Sequence, residues 1–233
     1  MLRLLLASAS PARTATLTAA GIAHDVQVSD VDEPAVLEAQ ARAAEKAGDP
    51  PPSPADQVLA LARAKAEDVA DAGPTAEPGS AHGRTLVLGC DSMLEVDLGG
   101  GVEVVGKPGD AETATRRWRA MRGSTGVLHT GHWLVDVGAG RDAATGDDRA
   151  EGSGVGGVSS AVIHFADLSD AEIDAYVATG EPLKVAGGFT VDGIGGPFVR
   201  GIEGDFHGVV GVSLPLLREL LGEHGVAVTD LWA

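Results

Sequence analysis

Short apolar runs ending in polar turns, each followed by residues at helical spacing, recur along this chain and predict an α/β fold. Residues 2–7 are nearly all apolar and stop at Ser8-Ala9-Ser10-Pro11, the pattern of a strand buried on both faces. Ser10 stands where a helix N-cap belongs and Pro11 at the first helical position, and Leu17 and Ala20 follow before the stop at Gly21. A second strand is predicted over 23–28, then the acidic turn 29–34, where the next helix begins and runs through 35–47. Gly48 to Pro54 breaks the chain, and a helix over 54–70 places Val58, Leu59, Leu61, Ala62 and Val69 on its apolar side.

After a loop over 72–84, Thr85 to Ser92 reads as a buried strand that terminates in Asp91 and Ser92. A hairpin of 93–96 and 102–105 turns at Gly99-Gly100-Gly101, a helix covers 110–121, and a long strand covers 127–137. Residues 138–157 read as a flexible Gly-rich insertion loop within one domain spanning 1–233. A strand over 158–166, a capped helix from Ser169 to the stop at Gly180, and an amphipathic helix ending near Leu221 complete the chain.

Charge narrows the function classes. The 233 residues carry 17 Lys and Arg against 34 Asp and Glu, a net charge of -17, which repels nucleic-acid backbones and anionic membranes. A polynucleotide is therefore not an expected partner, whereas a small phosphate-bearing substrate is compatible if a few cations gather locally. Cys90 is the only cysteine, which excludes an intramolecular disulfide framework and a Cys-rich zinc site. No run approaches the ~20 apolar residues of a membrane span, and Arg3 interrupts the only candidate leader, so the cytoplasm is the expected location.

The chemistry-bearing residues stand at element ends. A strand that ends in Ser8 and Ser10 and feeds a helix N-terminus presents backbone N–H groups, two hydroxyls and Arg13 to one small volume, as an anion requires. The acidic turn of Asp30, Asp32 and Glu33 either is solvated and caps the next helix or puts Glu33 on a metal or on the attacking water. Lys65, a lone lysine on a helix, by itself reads as solvated. Asp91, at a strand end of an open sheet, either starts a turn or is the catalytic carboxylate. Gly101–Lys107 spells a phosphate loop, but Pro108 takes the Ser/Thr position and no helix opens there; Gly152–Gly157 spells a dinucleotide fingerprint without a preceding strand. Arg116, Arg117, Arg119 and Arg122 suit pairing with surface acids or an interface, and His129 and His132 read as structural.

Ser8-Ala9-Ser10-Pro11-Ala12-Arg13 with Leu17 and Gly21-Ile22, Asp32-Glu33, Leu61-Ala62-Arg63-Ala64-Lys65-Ala66, Gly89-Cys90-Asp91-Ser92 and Gly106-Lys107-Pro108 together resemble the signatures of the Maf family of nucleotide pyrophosphatases, in the family's order. The likeness implies a mixed twisted sheet with flanking helices, similar to inosine triphosphate pyrophosphatases, in two lobes with a central cleft. It further implies hydrolysis of a nucleoside triphosphate to the monophosphate and pyrophosphate, a Mg²⁺ or Mn²⁺ cofactor, and a homodimer. By the same resemblance Asp91 is the general base or a metal carboxylate and Glu33 the metal ligand. Lys65, Lys107 and Arg13 stabilise charge, and Ser8, Ser10 and Ser92 bond phosphate or orient Asp91.

The chain departs from the family at Ala12, where the first of two arginines is absent, and at Leu183, Val185, Phe189 and Asp192-Gly193 in the last signature. Asp192 can accept from the N–H groups of a guanine edge, which points toward a purine or modified-purine substrate. The alternative class is a nucleotide-binding regulator of septum formation with little catalysis. The acid pair Glu33 and Asp91 argues against it, because a site that only binds a polyanion has no use for two nearby carboxylates.

Overall fold

In the computed structural model, which describes residues 2–73, 83–137 and 154–233, the first apolar run forms β1 (Arg3–Leu6). Leu4, Leu5, Leu6 and Ala7 are buried, and β1 has parallel partners on both sides, β2 (Asp25–Val26) and β3 (Thr85–Asp97). A strand paired at both edges and covered on both faces leaves no place for polar side chains, hence the unbroken leucines. The sheet has seven strands in the order β2-β1-β3-β5-β6-β7, with β5 (Thr125–Asp136), β6 (Gly154–Phe165) and β7 (Val199–Glu203), while β4 (Val102–Val105) pairs antiparallel with β3. With β6 and β7 also antiparallel, the sheet is mixed, as the family resemblance implies.

The helices α1 (Pro11–Ala19), α2 (Glu33–Ala47), α3 (Pro54–Ala72), α4 (Ala111–Met121) and α5 (Asp170–Ala178) each start on a side-chain cap: Ser10, Asp32, Ser53, Asp110 and Ser169. Ser53 with Asp56 and Ser169 with Glu172 close full capping boxes. The chain adds α6 (Phe206–Val210) and α7 (Leu214–Glu223).

The chain divides into two compact units. The first, Met1–Asp91 with Gly131–Val158 and Leu214–Ala233, has a core of Leu5, Ala7, Ala66, Val69, Val87 and Val135 between strands and α3. The second, Ser92–Thr130 with Ser159–Ser213, is built around Trp118, whose ring meets Phe165, Tyr176 and Phe198 edge-on at 5.6, 5.6 and 6.0 Å and whose indole N–H donates to Gly188 O. Most of the protein's few aromatics are spent here.

Three expectations are corrected. The strand carrying Asp91 does not terminate there: β3 runs on to Asp97 because Leu94 and Val96 keep the inward alternation, so Asp91 lies in mid-strand. The second strand is two residues long, not six, since its flank at Val28 is exposed and has no core to join. Gly154–Gly157 is strand, not loop, because the Trp133 ring lies where side chains would project: a Cβ on Gly154 or Gly156 would come within 2.2 Å of it. The rest of the expected insertion, 138–153, lies outside the described residues, as do 74–82 of the expected loop.

Candidate active site

The β1 to α1 turn builds an anion cradle from its own hydrogen bonds. Ser8, buried at the strand's end, accepts at Oγ from the Ser10 N–H at 3.2 Å and from Arg13 Nη1 at 2.9 Å. With both lone pairs so engaged, the Ser8 hydroxyl has its proton to give, which suits a phosphate oxygen. Arg13 Nη1 also donates to Cys90 O at 2.9 Å, which ties the guanidinium to β3. Ser10 serves as the N-cap, accepting from the Arg13 N–H. Cys90 itself is buried among these groups, and burial pushes its thiol up to about 11, so it stays protonated and acts by packing.

Lys65, Glu33 and Asp91 meet in the folded chain. Lys65 lies on the buried side of α3 with Leu61 and Val69 four residues to either side, so it is no solvated surface lysine. Its ammonium reaches Asp91 Oδ1 at 2.6 Å and Glu33 Oε1 at 2.7 Å. Glu33 is the first residue of α2, behind the Asp32 cap, where the helix dipole favours a carboxylate. Its side chain is 50% exposed, against 11% for Lys65 and 12% for Asp91. Burial raises the Asp91 carboxyl above the usual carboxylate range; Lys65 and Arg13 oppose the rise, and Glu33 adds to it.

Glycine sets the approach that makes this contact possible. Val87, Gly89 and Asp91 share one face of β3 because they alternate at period two. A Cβ on Gly89 would stand 2.1 Å from Ala62 O and 2.8 Å from Ala66 N, and one on Gly131 would stand 2.3 Å from Val58 O. The α3 backbone therefore rests directly on two strand glycines, which brings Lys65 to the level of Asp91.

The remaining expected residues belong to the second unit. Ser92 Oγ and Thr130 Oγ1 are 2.9 Å apart, and Thr130 donates to Gly208 O at 2.8 Å. Lys107 is exposed just after β4, in a segment pinned by Arg117 Nη1 to Gly106 O at 2.9 Å and by Gly109 N to Leu183 O at 3.2 Å. Asp192 is exposed in the loop before β7. Of the four helix arginines, Arg119 and Arg122 pair with Asp170, and Arg119 also with Asp174. His129 is clasped by Ser160 at 2.8 Å and Glu95 at 3.1 Å.

Sequence reasoning passed over Thr130 and Glu181. Thr130 carried a signal, a hydroxyl in an otherwise buried strand; Glu181 carried none, because its partners lie five to fourteen residues away without a period.

Arg13, Glu33, Lys65 and Asp91, which the structure gathers in the first unit, all fall inside residues 3–224, the stretch that matches the family profile described as Maf-like protein. The chain belongs to the Maf family. Curated relatives named nucleoside triphosphate pyrophosphatase include one from Salinispora tropica, 53% identical over 100% of this chain and 88% of its own length. One from Streptomyces coelicolor is 48% identical over 99% and 95%, and one from Mycobacterium marinum 43% over 100% and 98%. Membership accounts for the mixed seven-stranded sheet with its flanking helices.

Proposed function

We propose that this chain is a nucleoside triphosphate pyrophosphatase, splitting its substrate into a nucleoside monophosphate and pyrophosphate. The observation that carries the proposal is the buried Asp91 carboxylate joined through Lys65 to Glu33, beside Arg13 and the proton-presenting Ser8. The names of its relatives support it.

Glu33 and Asp91 each direct an oxygen at the Lys65 ammonium, and with substrate phosphates the two carboxylates would also offer the oxygen donors that Mg²⁺ or Mn²⁺ takes. Among the described residues no cluster of three acidic, His or Cys side chains is poised for a metal, so the substrate itself would supply the remaining oxygens. Such an ion, when bound, offsets charge on the phosphates. In the proposed reaction Asp91 takes a proton from water as its oxygen bonds to the α-phosphorus. The α–β bridging bond breaks, and pyrophosphate leaves with its charge held by Lys65, Arg13 and Lys107. Ser8 and Ser10 bind phosphate oxygens, and Asp192 accepts from the base edge of a purine or modified purine; Ser92, next to Asp91 in β3 and so on the opposite face, bonds Thr130 instead of orienting Asp91. A homodimer in the cytoplasm completes the proposal; among the described residues no helix is long and apolar enough to cross a membrane.

Incubation with a panel of canonical and modified nucleoside triphosphates, with Mg²⁺ or Mn²⁺, tests it. Monophosphate and pyrophosphate are the expected products. Orthophosphate as the first product would overturn the proposal.

A further inference from the structure

The loop from Thr190 to Gly195 is held by a single carboxylate. Glu181 Oε1 accepts from Thr190 Oγ1 at 2.6 Å, Gly195 N at 3.0 Å and the Tyr176 hydroxyl at 3.1 Å, and Oε2 accepts from Ile194 N at 3.1 Å. Gly195 N also reaches Thr190 Oγ1 at 3.1 Å, which closes the knot on itself. The loop lies so near that a Cβ on Gly193 would stand 2.7 Å from Glu181 Oε2, and one on Gly195 2.4 Å from the Tyr176 hydroxyl. The anchor is itself fixed, since Tyr176 is buried in the aromatic cluster around Trp118.

Three of the seven residues from Thr190 to Gly196 are glycines, so the untied loop would sample many conformations. Hydrogen bonds to a charged acceptor are roughly twice as strong as neutral ones, which suits one side chain to restraining the whole segment. Within the segment Asp192 is the one charged residue, and it is exposed. We propose that Glu181 is a positioning residue for substrate selection, holding the Thr190–Gly195 loop so that Asp192 meets the base in one fixed orientation. The proposal rests on the assignment of Asp192 to base recognition made above. The lowered pKa of Glu181 is consistent with it: burial opposes the shift, but the bonds from Thr190, Ile194, Gly195 and Tyr176 outweigh burial, so the charge is kept.

The test compares wild type, Glu181→Gln, Asp192→Ala and the double variant with GTP and UTP, and follows amide hydrogen exchange at Ile194 and Gly195. Gln keeps the shape but replaces an acceptor oxygen with an NH₂ donor facing other donors. Glu181→Gln is expected to reduce the GTP to UTP ratio of kcat/KM about tenfold through KM, with kcat within about twofold, and to speed exchange at both amides about tenfold. Added to Asp192→Ala it should change the ratio no further. A ratio kept in Glu181→Gln but lost in Asp192→Ala overturns the role of Glu181 and leaves Asp192 as the base reader. A ratio unchanged in Asp192→Ala removes both. If Glu181→Gln does not fold, Thr190→Val should lower the ratio while Thr190→Ser, which keeps the hydroxyl, restores it; equal ratios in the two would overturn the proposal.

Discussion

A lysine held between two carboxylates, at 2.6 and 2.7 Å, stabilises a buried acid and, in the proposed reaction, also supplies a cation for phosphate. Lys65→Met removes the direct partner of the buried Asp91. The expected cost is about 3 kcal/mol, read from the urea midpoint, because an uncompensated buried charge is left behind. Adding Asp91→Asn should recover most of that loss, since no buried charge then remains; a single variant as stable as the double would show that the two side chains are not coupled. At this scale the candidate residues were legible as residue types in motifs. Their meeting was not, because Glu33, Lys65 and Asp91 lie on three elements separated by dozens of residues. Taken alone, Lys65 read as a solvated helix lysine; only the packing of α3 showed that its ammonium turns inward.

Elements reach these positions through their backbones. Because α3 rests on Gly89 and Gly131, even one methyl group at Gly89 must move the helix. Gly89→Ala is expected to destabilise the protein by about 3 kcal/mol and to lower activity with it, whereas Gly222→Ala in α7, where a Cβ would meet nothing within 4 Å, should stabilise by about 0.5–1 kcal/mol. Thermal unfolding of the two variants side by side checks both signs. Acidification probes the Glu181 knot. Its folded-state pKa lies below the ordinary value, so its stabilisation is fully present above the unfolded glutamate pKa of about 4.3 and is lost as pH falls through the folded value. The stability gap between wild type and Glu181→Gln should therefore persist at neutral pH and close under strong acid; a gap that widened would contradict the assignment. Caps made some helix starts legible, since Ser10, Asp32 and Ser169 act as the sequence suggests, while the caps at Ser53 and Asp110 were not read from it. The end of β3 was misplaced because an Asp followed by a Ser resembles a turn, while burial of Leu94 and Val96 decides otherwise.

For the molecule as a whole, the α/β class could be read from the pattern, whereas the mixed sheet and a two-part chain were expected only from the family resemblance, and the bounds of the two units could not be read at all. That division is set by which residues pack together in space, and β3, β5 and β6 each contribute to both units without any break in composition. In a chain of net charge -17, Arg13 and Lys65 are cations that the fold gathers beside Asp91. The central claim is that this cluster, with Asp91 at its base, is where the triphosphate is split. The most direct measurement is turnover by Asp91→Asn beside wild type, on the preferred nucleoside triphosphate, with circular dichroism to confirm the fold. The account predicts a loss of at least about a hundredfold in kcat with the fold intact. Turnover at the wild-type rate by a folded Asp91→Asn protein would contradict it.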